Sequence, residues 1–346
     1  ALKRYIEDAK VVINISSYEK DGRPSSIDEV MDDYIEWCQQ NEVKGEYYRT
    51  GVDSGLRAIK RSVYQKVVSD TWENLEGQSD NDLFVKFLED FKFSEAEGLA
   101  VKWWMADTKR RLRDLATKSS VDATAQVPYP VFYGGQGVGK TFICRELRKP
   151  FGELGGPDKV SSMMDEFNQK KYGLMLISDL DDISKVADKD LANLKNFATS
   201  DVLTPRKMRS EENHFIKKIT TVLCSSNSPI HEVIPDTTGA RRFFQIDVPS
   251  SGYVEPINNT DFLLLWQAVD IDWSPSREEQ KVIGDSQKLQ RKRDVVEVWW
   301  EDMGKNEYDG NGIQASNLFR DFNLWPENAK HFAIPKTTFG KNGTQL

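Results

Sequence analysis

Apolar side chains recur at Ile27, Val30, Met31, Tyr34, Ile35 and Cys38, the spacing of one helix face. Ser26 and Glu29 stand where a capping box would close that helix's N-terminus. Helical periodicity returns over 81–93 and 98–117, so the first 120 residues are expected to be mostly helical. The stretch "SSVDATAQVPYP" (119–130) reads as a linker or loop ending at prolines. Beyond it the texture changes. Short apolar runs, "YPVFY", "GLMLIS" and "ITTVLCSS", alternate with helical stretches such as "DKDLANLKNFAT", the pattern of an α/β protein with a parallel sheet. A helix near 261–270, "DFLLLWQAVD", closes this unit. A long charged helix over 275–303 then leads to "IQASNLFRDFNLWPENAKHFAIPKTTFGK", two short helical segments and a strand-like end, read as a winged-helix fragment. The expected division is a helical region over 1–94 that serves as a collar or oligomerisation element, an α/β domain over 95–272 and a small, mostly helical region over 273–346.

Composition narrows the function classes. The 346 residues are 38% hydrophobic and 29% charged, a globular balance with a solvated surface. The longest apolar run, Phe262 to Trp266, is far short of a membrane span, so no membrane partner is expected. No charged-then-apolar leader opens the chain. Cys38, Cys144 and Cys224 are isolated, against a disulfide framework or a Cys-rich zinc site, and a reduced, cytoplasmic compartment is expected. His231 opens "HEVIP", which lacks the second His of the helical zinc motif. The chain starts without Met inside a helical pattern and is expected to be a segment of a longer polypeptide. A net charge of −8 argues against nonspecific coating of nucleic acid by the whole surface, but not against a segregated basic channel.

The chemistry is concentrated in "VFYGGQGVGKTFICREL" (131–147). Gly134, Gly139, Lys140 and Thr141 fit G-x-x-x-x-G-K-[ST], with an apolar strand before and a helix after. Glycines let backbone N–H groups curl around an anion, and the helix N-terminus adds a positive dipole. The expected nucleotide contacts are Gly134, Gly135, Gln136, Gly137, Val138, Gly139, Lys140, Thr141 and Phe142. Lys140 would reach the β- and γ-phosphates of ATP, and the Thr141 hydroxyl would sit on Mg²⁺.

A second metal anchor is expected in "GLMLISDLDD", a buried strand ending in carboxylates. Asp179 is assigned to Mg²⁺ or to the attacking water, and Asp181 shares its face if the extended geometry continues. Asp182 stays open as the base. "ITTVLCSSN" ends in Asn227, whose amide suits orientation of a lytic water. "DTTGARRFFQIDV" follows, where Arg241 and Arg242 are suited to stabilise transition-state charge as an arginine finger or to sense the γ-phosphate. Between the carboxylate strand and the Asn strand, "TPRKMRSEENHFIKK" carries Arg206, Lys207, Arg209, Lys217 and Lys218 on an expected hairpin suited to tracking a phosphodiester backbone. The runs "KRRLR" (109–113) and "KLQRKR" read as helix faces of mixed charge, and Trp103, Trp104, Trp299 and Trp300 as core.

This order of parts resembles the superfamily 3 helicases, and within them the virulence-associated protein E-like and poxvirus-type primase-helicases of phages and mobile elements. The phosphate loop is common to many families; "SSN" followed by "TTGARRFF" makes the match specific, over about residues 95–250. The resemblance implies an AAA+-type P-loop ATPase core forming a hexameric homo-oligomer on single-stranded DNA, using ATP and Mg²⁺. It further implies a primase or polymerase domain elsewhere in the same polypeptide and, for a phage-encoded protein, the bacterial host cytoplasm. By resemblance Asp179 matches the carboxylate of the acidic strand and Asn227 the sensor. Arg241 or Arg242 matches the finger offered to a neighbouring subunit, and Arg206, Lys207 and Arg209 the pore hairpin. One departure is that family members often place Glu on the acidic strand, where this chain has only Asp at 179, 181 and 182. Two rival readings are an initiator or switch ATPase that binds duplex DNA without unwinding, and an RNA translocase.

Overall fold

The computed structural model describes residues 1–15, 17–43, 49–77, 80–121, 127–163, 165, 168–205, 215–234, 242–290, 299 and 315–324. The chain opens with α1 (Leu2–Asp8), then an antiparallel meander of β1 (Val11–Ile13), β2 (Tyr18–Lys20) and β3 (Arg23–Ser25), then α2 (Ile27–Gln40). The capping box at Ser26 and Glu29 forms as its spacing predicts. The meander adds three short strands to the mostly helical start, and three-residue strands are too short to display alternation in sequence. Tyr5, Val11, Ile13, Val30, Tyr34 and Leu56 give this N-terminal part a hydrophobic cluster of its own. The Ile15 N–H donates to the Glu153 carboxylate at 2.9 Å, tying the segment after β1 to the larger unit.

Three helices follow, α3 (Arg49–Leu75), α4 (Asn81–Asp90) and α5 (Glu95–Ala116). A second capping box, Ser94 with Glu97, starts α5. Its "KRRLR" run is not a solvated face. Lys109 is buried and donates to the carbonyls of Gln267 (2.9 Å) and Val269 (3.0 Å), while Arg110 donates to those of Ile271 and Trp273. Arg111 pairs with Asp107 at 2.7 Å and donates to the Ile219 carbonyl. These cations satisfy backbone acceptors that would otherwise be buried without partners.

The main sheet is built from β4 (Tyr129–Tyr133), β5 (Gly155–Asp158), β6 (Ile177–Leu180), β9 (Thr221–Ser226) and β10 (Phe243–Asp247), all parallel, in the order β10-β4-β9-β6-β5. Between them run α6 (Lys140–Arg148), α7 (Val160–Met163), α8 (Asp188–Thr199), the antiparallel pair β7 (Val202–Leu203) and β8 (Ile216–Lys217), and α9 (Ile230–Val233). Every residue of β6 and β9 is buried, as expected of strands covered on both faces by crossover helices. β5 tolerates Pro157 because it lies at the sheet edge. The last helices are α10 (Val254–Asn259), α11 (Phe262–Ala268), α12 (Arg277–Leu289) and α13 (Ala315–Leu324). Trp104 and Trp266 pack at a centroid distance of 5.7 Å and Trp299 meets Phe322 edge-on, so these indoles serve the core. Most of the expected winged-helix fragment, and the second half of the charged helix, lie outside the described residues. Among the described residues, no helix is long and apolar enough to cross a membrane.

Candidate nucleotide site

In an open parallel sheet, ligands bind beyond the carboxyl ends of the strands. Three ends converge here: β4 runs into the loop 134–139, β6 into Asp181 and Asp182, and β9 into Asn227. β9 lies between β4 and β6, so its terminal polar residues face both the phosphate loop and the carboxylates. Gly137 and Gly139 adopt φ of 82° and 93°, left-handed values that a side chain would strain. Gly139 is the N-cap of α6, so the loop turns directly into the helix N-terminus. A cleft of about 440 Å³ opens there, lined by Gln136, Lys140, Thr141, Asp181, Asp182 and Asn227 among others. Gly137, Gly139 and Phe142 also line it, while Gly134 and Gly135 offer their carbonyls to the Lys140 ammonium. Val138 turns its carbonyl to the Tyr253 N–H instead, at 2.9 Å. Burial lowers the Lys140 pKa, with Asp182 and Asp181 pulling the other way.

The three aspartates divide. The Thr141 hydroxyl donates to Asp181 Oδ1 at 2.8 Å, and Ser225 donates to the same oxygen at 2.9 Å. Asp182, in a left-handed conformation at φ 46°, accepts from Asn227 Nδ2 at 2.6 Å and from Lys185 at 2.7 Å, both at Oδ2. The Ser184 hydroxyl donates to its Oδ1, and its own N–H donates to Ser225 Oγ at 2.9 Å. Burial works to raise the Asp182 pKa, but the bonds from Lys185, Ser184 and the Asn227 backbone together hold it below the ordinary carboxylate value.

Asp179 stands apart. It lies inside β6, buried, and pairs with Arg148 Nε at 3.2 Å. Burial pushes its pKa up to about 6 despite the neighbouring guanidinium. The run "GLMLIS" predicts a strand with Asp179 at its end, but the strand begins at Ile177 and its end moves on to Leu180. The carboxylate that meets Thr141 is therefore Asp181, and Asp179 belongs to an ion pair between β6 and the C-terminal end of α6. Ser225, Lys185 and Arg148 were not singled out in sequence. Lys185 pairs with Asp182 three residues away, Arg148 meets Asp179 once α6 packs on β6, and Ser225 meets Asp181 once β9 and β6 are side by side.

A hydroxyl and a carboxylate oxygen in direct contact beside a phosphate loop fit Mg²⁺, which takes one or two carboxylates together with phosphate oxygens and water. Among the described residues, no group of three or more His, Cys, Asp or Glu side chains offers a metal site.

The basic residues lie elsewhere. Arg242 immediately precedes β10, and its carbonyl accepts from the Tyr129 N–H at 2.7 Å, so it sits at the start of the strands, opposite the cleft. Five residues of β4 separate that level from the loop, about 16 Å at ~3.3 Å per residue. Lys217 is exposed on β8. Lys218 is buried: its ammonium donates to the Phe197 carbonyl at the end of α8 and lies 4.8 Å from the Phe197 ring. It is thus a helix-end anchor and not part of a solvent-facing basic hairpin. Arg206, Lys207, Arg209 and Arg241 lie outside the described residues.

A phosphate loop after the second strand of the five-stranded parallel order, facing carboxylates two strands away, defines a P-loop nucleoside-triphosphatase fold. The chain belongs to the virulence-associated protein E-like family, whose domain matches residues 92–295, more than half of its length. That is the family the order of motifs resembles. Among solved structures, the A-form apo structure of the NrS-1 C-terminal region is similar at 16% identity, covering 78% of this chain and 64% of that one, with a TM-score of 0.44. The apo structure of the NrS-1 C-terminal region (305–718) is similar at 17% identity, covering 75% and 62%, with a TM-score of 0.44. The chain therefore spans less than two thirds of either structure. No curated protein matches it.

Proposed function

We propose that the chain is the ATP-driven DNA helicase module of a phage or mobile-element replication protein, acting as a head-to-tail ring, a hexamer by resemblance, on single-stranded DNA in the bacterial cytoplasm. A primase or polymerase domain in the same polypeptide is part of this reading. The observation that carries it is the pair of contacts Thr141–Asp181 and Asn227–Asp182 at one cleft. Lys140 and the loop N–H groups would bind the phosphates, and Thr141 with Asp181 would hold Mg²⁺. When bound, Mg²⁺ neutralises charge on the β- and γ-phosphate oxygens. Asp182 polarises the attacking water and Asn227 fixes its direction. Asp in place of the family's frequent Glu is offset by the turn at Asp182, whose left-handed backbone sets the carboxylate beside Asn227.

The distance of Arg242 from its own cleft supports action on a neighbour's nucleotide, which needs a head-to-tail interface. Arg241 stays a candidate for the same role. Arg206, Lys207, Arg209 and Lys217 form the DNA-tracking set, joined by the exposed Phe215 beside β8 as a stacking surface. Phosphate release with Mg²⁺, with and without single-stranded DNA, together with strand displacement on a forked duplex, tests the whole. No release under any condition would sink the ATPase reading. ATP-stimulated DNA binding without displacement would favour the initiator reading, and displacement only with an RNA tracking strand the RNA translocase.

A further inference from the structure

Asp182 is over-supplied with donors for a residue that is to act on water. Both strong contacts at Oδ2, Asn227 Nδ2 at 2.6 Å and Lys185 Nζ at 2.7 Å, occupy the oxygen's lone pairs, while Ser184 and the Asn227 N–H take Oδ1. An ionised carboxylate offers about four acceptor positions, so a water can reach this one only by displacing a partner. Three of the donors are short groups fixed by the backbone of the strand end and turn. Lys185 alone is long and 78% exposed in its side chain, and it lines the same cleft as Lys140 and Thr141.

Resting on the ATPase reading above, we infer that Lys185 is a positioning residue that exchanges partners: it holds Asp182 until a nucleoside triphosphate enters, then moves to the terminal phosphate and frees an Asp182 oxygen for water. A diphosphate lacks that terminal group and leaves the Lys185–Asp182 pair in place. The exchange gives the site a means of telling substrate from product that is built into one chain, independent of any neighbouring arginine. Among the described residues, Lys140 from α6 and Asp181 from the β6 end also face Asp182, and neither bonds it.

The test is equilibrium binding of a non-hydrolysable ATP analogue and of ADP, each with Mg²⁺, to the whole chain. In Lys185→Ala, analogue affinity falls about tenfold, the scale of one charged hydrogen bond, with ADP affinity unchanged. Lys185→Arg restores the preference. In Asp182→Asn the ammonium has no resident carboxylate to leave, so the analogue binds about two- to fivefold more tightly than to wild type, the scale of one exposed ion pair. That gain disappears in the double variant Asp182→Asn/Lys185→Ala. In steady state, Lys185→Ala raises KM with kcat held or increased. Equal losses for analogue and ADP, no change for either, or a gain in Asp182→Asn that survives loss of Lys185 would each overturn the exchange. Wild-type protein that binds neither nucleotide would refute the nucleotide-site reading itself, a separate result.

Discussion

Thr141 and Asp181 stand 40 residues apart in sequence, yet the hydroxyl of one donates to the carboxylate of the other at 2.8 Å. The contact exists because β9 spaces β4 from β6, bringing the start of α6 level with the residues that follow β6. It sets Asp181, and not Asp179, against the Thr141 hydroxyl. Asp181→Ala is expected to reduce ATP turnover by about 10²–10³-fold, the scale of losing one preorganised electrostatic group. Asp179→Asn, an isosteric change in the ion pair with Arg148, is expected to keep most turnover and a folded chain. Paired kinetic and thermal-melt measurements on the two variants check this, and equal loss of turnover in both would return Asp179 to the catalytic set.

The Arg148–Asp179 pair carries a pH signature. The Asp179 pKa is raised to about 6, above the value of about 3.9 for an unfolded Asp. Its contribution to stability is therefore complete below pH ~4 and is lost as pH rises through about 6. Above that pH, Arg148 is what offsets the buried negative charge. Arg148→Met should destabilise the chain by about 3 kcal/mol at pH 8, the cost of breaking a buried pair from one side. At pH 5, where Asp179 is largely protonated, the difference should shrink. Denaturant midpoints at the two values check it; an equal difference at both would mean that the arginine acts only through packing.

Lys218 gives the opposite dependence. Burial is the main cause that lowers its pKa, to about 7 from 10.5. Between those values the unfolded chain binds a proton that the folded chain does not, so the stability contributed by this group rises with pH across the window and is lowest below about 7. Against Lys218→Met, wild-type stability should gain at most about 1.4 kcal/mol per pH unit from pH 7 upward. Parallel unfolding curves of the two proteins at pH 6.5 and 9 would remove the titration from the account. DNA affinity is expected to be unchanged in this variant and reduced in Lys217→Ala.

How far the sequence reached depended on whether a feature was local. β4 and α8 begin and end where their patterns place them: Pro128 and Gly134 flank the strand, and the spacing of Leu191, Leu194 and Phe197 marks the helix. The phosphate loop and Asn227 were legible for the same reason. The run "GLMLIS" does not reveal that its first residues precede the strand: a 3₁₀ turn, Gln169–Gly173, leads in and delays the strand to Ile177, which puts Asp179 inside it. Lys218 looked like its neighbour Lys217. Only the carbonyl acceptors at the end of α8, some twenty residues away, turn it inward. The same holds for Lys109 and Arg110, whose acceptors lie in 267–273. The meander at 11–25 was too short to register, and Lys185 had no motif to mark it.

Arg242 makes the requirement for a neighbour testable. It precedes β10 at the end of the sheet remote from Lys140, and backbone pairing with Tyr129 fixes its main chain there. A finger that serves its own cleft would have to span the length of β4, about 16 Å, where an extended arginine side chain covers less than half of that. Arg242→Ala should therefore retain nucleotide affinity while losing turnover, on the scale of about 10³-fold attributed to such arginines. The decisive measurement mixes this variant with Lys140→Ala. Each homogeneous preparation is inactive, but in mixed assemblies an intact cleft on the Arg242→Ala chain meets an intact Arg242 on the Lys140→Ala chain, and turnover should reappear with a maximum near equal proportions. Flat, zero activity across all proportions would show that Arg242 does not act across a subunit boundary, and the same mixing with Arg241→Ala would then assign or dismiss its neighbour.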